Sequence, residues 1–272
     1  LPDLGIMWVL YGAGAIPAGG AWFVGYSYVG DESSLEIEGE LEGEGEWEGE
    51  GEGEGFWEGE GEGEWKKIRF KTAKQDDEPP AGALSLVQPA SGAVAQVANT
   101  VANPLTLAAP FGVEDGWFAT GTKVLRMTAG VWSAETTPTG VETIEALSFP
   151  TVDDGWCVGS AIHAETSKPR GAAAHWNGAE WLAAALPELT EPWGLFGVSF
   201  PAVAEGWAAG QSYNADSNQR NGVLLHYQGG AWDSVAAPAV SDNWCLTAVA
   251  FPSAATGWAI GNDLDGKRGI VL

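Results

Sequence analysis

The sequence predicts an all-β protein, a β-propeller of about five four-stranded blades with the last blade incomplete and a low-complexity Gly-Glu insert in the first. Two repeating signatures and one composition carry that prediction. Phe200, Pro201, Gly206, Trp207 and Gly210 recur 51 residues later as Phe251, Pro252, Gly257, Trp258 and Gly261. His226, Gly229 and Trp232 repeat His175, Gly178 and Trp181, the two tryptophans again 51 residues apart. The chain of 272 residues holds 39 Gly and 15 Trp, which suits many short strands joined by tight turns and wedged by large rings.

Taken along the chain, the first signature occurs five times. Trp22 to Gly25 opens the series, with a preceding loop one residue shorter than the others; Asp115, Gly116 and Trp117 form a weaker copy; Phe149 to Gly159 is the third. The second signature follows the first four of these, with weaker copies ending at Trp65 and Trp132. Each unit reads as four strands: an apolar strand ending at Phe-Pro, one at Gly-Trp, one at the Leu-His segment and one starting at Trp. Gly, Pro, Asn and Asp sit at the joints, where their backbone preferences favour turns. A unit of about 50 residues with four strands matches a propeller blade, and a blade buries both faces only by stacking on its neighbours.

The units fall at 1–73, 98–139, 140–190, 191–240 and 241–272 of one propeller domain spanning 1–272. Residues 33–64 are the insert and 74–97 a linker. The last unit lacks its fourth strand. Either further blades follow, or another strand completes the ring; residues 81–101, with the apolar stretch from Leu84 to Val87, are the candidate, and closure is the favoured reading.

The Phe-Pro, Gly-Trp-x-x-Gly and Gly-x-x-Trp elements resemble the bacterial-neuraminidase-type repeats of the photosystem II assembly-factor family. The resemblance spans most of the chain outside 33–64 and 74–97, and the Gly-x-x-Trp part resembles a worn Asp box. It departs at the Asp-box aspartate, whose places hold Trp176 and Tyr227. The resemblance implies a propeller; it does not imply an activity, since one fold hosts many functions.

Composition excludes some partners. With 12 basic and 37 acidic residues the net charge is −25, which opposes nucleic acid and anionic membrane surfaces. Two cysteines cannot build a disulfide framework or a cysteine-rich zinc site. Residues 4–30 carry no charge and are long enough to span a bilayer, but their glycines and their match to the repeat favour strands over an anchor. Few lysines with many Trp, Gly and Ala place the protein outside the cell or in a bacterial cell envelope.

The insert is strictly periodic. Glu takes every even position from Glu36 to Glu64 except Phe56, and removing those 14 from a net charge of −25 leaves −11. Period two would put all carboxylates on one face of an extended chain. Helix is disfavoured, because Gly costs about 1 kcal/mol relative to Ala at each helical place. The first reading is a solvated acidic spacer. A second is a weak Ca²⁺ site, with Glu44, Glu46, Glu48 and Glu50 as ligands, since carboxylate oxygens suit that ion. A third is a docking arm using Trp47 and Trp57.

Candidate ligand residues gather in the loops between second and third strands: His163, Arg170, Tyr213, Arg220, Asp263, Asp265 and Arg268. Loops on a rigid scaffold are where binding groups concentrate. His175 and His226, repeated at the structural period, read as architectural. No phosphate loop, H-E-x-x-H or C-x-x-C motif is present. The leading function is therefore a non-catalytic binding or assembly scaffold with a protein or glycan partner, no catalytic residues, and no cofactor other than possible Ca²⁺. The alternatives are a sialidase-like glycan hydrolase and an envelope-anchored structural or filament subunit.

Overall fold

The computed structural model describes residues 7–28, 82–90, 95–97, 104–189, 192–238 and 240–272. They form five antiparallel sheets, in the order of a five-bladed β-propeller, with no helix among the described residues. The first blade pairs β1 (Met7–Ala15), β2 (Gly20–Tyr28), β3 (Gly82–Pro89) and β4 (Ala95–Gln96). The second holds β5 (Leu107–Pro110), β6 (Gly116–Ala119), β7 (Val124–Thr128) and β8 (Val131–Trp132). The third holds β9 (Thr143–Thr151), β10 (Asp154–Ile162), β11 (Pro169–Trp176) and β12 (Trp181–Ala183). The fourth holds β13 (Trp193–Ala202), β14 (Glu205–Asn214), β15 (Gln219–Gln228) and β16 (Ala231–Val235). The fifth has three strands, β17 (Trp244–Ser253), β18 (Thr256–Asp263) and β19 (Arg268–Val271).

The first blade departs from the sequence expectation. The sequence predicts a linker over 74–97 and, within 81–101, a candidate strand for closing the ring. Instead Gly82–Pro89 pairs along the whole of β2, from Gly20 with Pro89 to Ser27 with Gly82, and Ala95–Gln96 adds the fourth strand. The insert thus falls between the second and third strands of the first blade. The Trp65 copy and residues 33–64 lie outside the described residues. Within residues 4–30, the described part forms β1 and β2. No helix of the described residues is long and apolar enough to cross a membrane.

The repeated glycines have steric causes. A Cβ on Gly159, Gly210 or Gly261 would meet the carbonyl oxygen of Thr143, Gly194 or Cys245 at 1.8, 1.9 and 1.8 Å. The crowding arises where the innermost strand bulges: the register shifts between Leu195 and Gly197, between Leu246 and Ala248, and opposite Val158 and Gly159. An added residue bends the bulged strand and presses its backbone on the partner. Gly155, Gly206 and Gly257 lie beneath the rings of Phe149, Phe200 and Phe251, which a Cβ would strike at 2.0 to 2.4 Å.

Consecutive blades are joined by one repeated wedge. Trp117 stacks on Phe149 of the next blade at 4.9 Å, Trp156 on Phe200 at 5.0 Å and Trp207 on Phe251 at 4.7 Å, each within 8° of parallel. Two residues after the tryptophan, Val24, Ala119, Val158 and Ala209 share buried clusters with Leu105, Ile144, Leu195 and Leu246 of the following blade. The Ser148 and Ser199 hydroxyls accept the N–H of Phe200 and Phe251, both at 2.9 Å, tying neighbouring innermost strands together.

A polar loop face and an aromatic groove

Because adjacent strands are antiparallel, every loop between second and third strands emerges at the same end of its sheet as the connection to the next blade. At this end the fourth and fifth blades are stitched together by Asn243. Its Oδ1 accepts the backbone N–H of Arg220 at 3.0 Å, and its Nδ2 donates to Asp265 Oδ1 at 3.2 Å. Tyr213 and Arg220 are register partners, with the guanidinium 5.5 Å above the ring, and the Tyr213 hydroxyl donates to Asn218 at 3.1 Å. Aromatic face and cation attract through the ring quadrupole.

Asp263 is spent on its own hairpin. It is 2% exposed, accepts the Gly266 N–H at 3.0 Å and takes Arg268 Nε at 2.9 Å. The Gly266 N–H, the Ser241 hydroxyl and Arg268, in that order, hold its carboxyl below the ordinary carboxylate value. Arg170 and Arg268 hold the same register place, just before Gly171 and Gly269. Arg220 stands one residue earlier and so faces the other side of its strand. His163 is half-buried and closes its own loop: its Nδ1 accepts the Thr166 N–H at 3.4 Å and its carbonyl the Ser167 N–H at 2.8 Å.

Of the seven loop residues singled out in the sequence, Tyr213 with Arg220 and Asp263 with Arg268 are thus direct pairs, and Asp265 joins them through Asn243. His163 and Arg170 belong to the third blade, apart from that network. Trp47, Trp57, Glu44, Glu46, Glu48 and Glu50 lie outside the described residues. Among the described residues no three His, Cys, Asp or Glu side chains gather as metal ligands.

Sequence reasoning missed a groove of about 590 Å³ between the third and fourth blades. Trp156, His175, Tyr227 and Trp232 line it, with Leu186 and Asp233 at its sides. Its histidine is architectural. His175 stacks on Trp156 at 4.5 Å and hydrogen-bonds the Asp154 carboxylate at 3.1 Å; His226 repeats this on Trp207 at 4.1 Å with Glu205. The second blade substitutes Arg126, 5.5 Å above Trp117 and paired with Asp153 of the next blade at 3.5 Å. The repetition of His at the blade period was the available signal; its carboxylate partner was not. Cys157 and Cys245 are free and buried, and burial pushes the Cys157 thiol up to about 12, which leaves it inert as a nucleophile.

Five repeating blades with self-braced loops define a β-propeller whose polar groups serve architecture first. The chain is similar to "YCF48 bound to D1 peptide", at 12% identity over 100% of this chain and 94% of that one, with a TM-score of 0.39. It is also similar to YCF48 from Cyanidioschyzon merolae, at 11% identity over 97% and 94%, again with a TM-score of 0.39. No family model and no curated protein matches the chain. The propeller assignment rests on the five packed sheets and not on that likeness.

Proposed function

We propose that the chain is a non-catalytic scaffold that binds a protein partner on the face formed by its second-to-third-strand loops. The observation that carries this reading is the chemistry of the innermost strands. Among β1, β5, β9, β13 and β17 the one carboxylate is Glu145, and none of these strands carries Arg, Lys or His. Most glycoside hydrolases need two carboxylates flanking the bond, and a sialidase needs acidic partners for its tyrosine together with arginines for the substrate carboxylate. A single Glu without arginine supplies neither. The loops instead offer exposed Arg170 and Arg268, and the half-buried Tyr213–Arg220 pair whose Arg220 backbone is braced by Asn243. Arg and Tyr in a pre-organised setting are the residue types that dominate protein recognition. An extracellular or cell-envelope location is supported by composition alone.

The test is cross-linking of the tagged chain in an envelope extract of its source cells, read by mass spectrometry. Partner cross-links should concentrate in 163–170, 211–222 and 262–268, and fall at least tenfold in an Arg170→Glu/Tyr213→Ala/Arg220→Glu variant of unchanged circular dichroism. Cross-links confined to other surfaces, or turnover of a sialoside by the wild-type chain, overturn the proposal.

A further inference from the structure

The junction of the second and third blades and the junction of the third and fourth share one plan, yet two links that close the former are missing from the latter. Between the second and third blades, Arg126 lies 5.5 Å above the Trp117 ring and reaches the Asp153 carboxylate of the third blade at 3.5 Å. The Trp117 indole N–H donates to Val152 O, also of the third blade, at 3.0 Å. One blade on, the register place of Arg126 is held by His175, which turns instead to Asp154 of its own blade, and the sequence place of Asp153 is held by Ala204. Trp156 and Trp232 are 3% and 6% exposed, and the indole N–H of each is buried without a hydrogen-bond partner among the described residues. Folded proteins leave few buried donors in that state, so each asks for a cause. Both indoles line the groove of about 590 Å³ between these blades. Half-buried Tyr227 and exposed Leu182 line it too; among its described lining residues Asp233, exposed, is the one carboxylate, and none is Lys or Arg. Gly230, also in its lining, belongs to the turn between third and fourth strands, at the opposite end of the sheet from the second-to-third-strand loops.

We propose that this groove binds an extended proline-rich peptide carrying an arginine, on a surface apart from the loop face. The chain's own neighbouring junction supplies the pattern: a cation beside an indole and paired with a carboxylate, and a carbonyl oxygen for the indole N–H. In the groove the peptide's arginine pairs with Asp233, as Arg126 pairs with Asp153, and the peptide's carbonyl oxygens accept the Trp156 and Trp232 donors. Charge complementarity selects the cation, because Asp233 has no basic neighbour in the lining except His175, which Asp154 already engages. The walls select proline. A polyproline II chain has no internal hydrogen bonds, so all its carbonyls are available, and its preformed shape suits aromatic-lined grooves. Both indole nitrogens are covered in the free chain, so the peptide seats only as the side chains over them part.

The whole 272-residue chain is titrated against a fluorescein-labelled oligoproline peptide bearing one central arginine, with anisotropy as the readout. Saturable binding is expected. It should weaken at least tenfold when glutamate replaces the peptide's arginine, and again when Gly-Ser repeats replace its prolines. Asp233→Lys and Leu182→Arg, both at exposed positions, should each weaken it at least tenfold with unchanged circular dichroism. The indole N–H resonances of Trp156 and Trp232 should shift as peptide is added. The Arg170→Glu/Tyr213→Ala/Arg220→Glu variant should bind the peptide as the wild type does, which separates this site from the loop face. Absence of saturable binding overturns the proposal. So does equal binding of the Gly-Ser peptide with the same arginine, which would show attraction to the overall negative charge alone. Affinity unchanged in both groove variants overturns it, as does a neutral oligosaccharide that shifts the two indole resonances where the peptide does not.

Discussion

At the residue scale the terminal glycine of Gly-Trp-x-x-Gly is fixed by contact, not by backbone freedom. Gly210 does not adopt a left-handed conformation, yet its Cβ position lies 1.9 Å from the Gly194 carbonyl oxygen. Gly210→Ala is expected to destabilise by about 2–3 kcal/mol, the scale of overpacking a rigid contact. Gly112→Ala, with nothing within 4 Å, should stay within about 0.5 kcal/mol of wild type. Urea unfolding of the two variants checks the contrast, and equal midpoints would show that the bulge can yield. Asp263 sets a pH dependence of known sign. Its folded-state pKa is depressed, so its contribution is fully present above the ordinary value of 3.8 and is lost as pH falls through the lower folded value. Arg268→Ala should raise the Asp263 midpoint only in part, because the Gly266 N–H and Ser241 bonds remain. Carboxyl NMR titration reads that midpoint.

At the scale of the element, the wedge is a stack of acid, imidazole, indole and phenyl across two blades. Asp154 orients His175, His175 covers one face of Trp156, and Phe200 covers the other. The indole is 3% exposed, so Trp156→Ala removes both stacking partners' contacts and leaves a cavity. A loss of about 3–5 kcal/mol is expected, as for large-to-small core changes. His175→Gln should lose far less, because Trp156 keeps Phe200. Thermal unfolding of both variants separates a load carried by the ring pair from one carried by the His–Asp bond.

For the whole molecule, charge and topology act at different ranges. The net charge of −25 repels polyanions at any orientation, whereas two of the four described arginines, Arg126 and Arg268, are already ion-paired. The chain should therefore pass a heparin column unretained at 50 mM salt, where phosphate or sulfate contacts are strongest. Retention would show that the loop-face arginines act together against the overall field. Topology decides how the blades join: the Trp–Phe stack recurs at three junctions, and the apolar residue two places after the tryptophan is buried against the following blade at four.

The sequence by itself determined the blade. Side-chain period, turn residues and a 51-residue repeat are local quantities, so the strands of the third, fourth and fifth blades, the Trp–Phe wedge and the architectural place of His175 and His226 were all legible. Tertiary structure alone decided the rest. The third strand of the first blade lies 53 residues beyond β2, and strand pairing carries no local signature across such a gap, so Gly82–Pro89 read as a linker. Asp154 and Glu205 open their strands just after a turn and look like ordinary surface acids until the antiparallel register brings them under the histidines 21 residues away. The groove beside Trp156 was likewise invisible, because the sequence place of Trp156 is that of Trp117, and only the packed junction decides whether a cation and a carbonyl of the chain itself reach the indole.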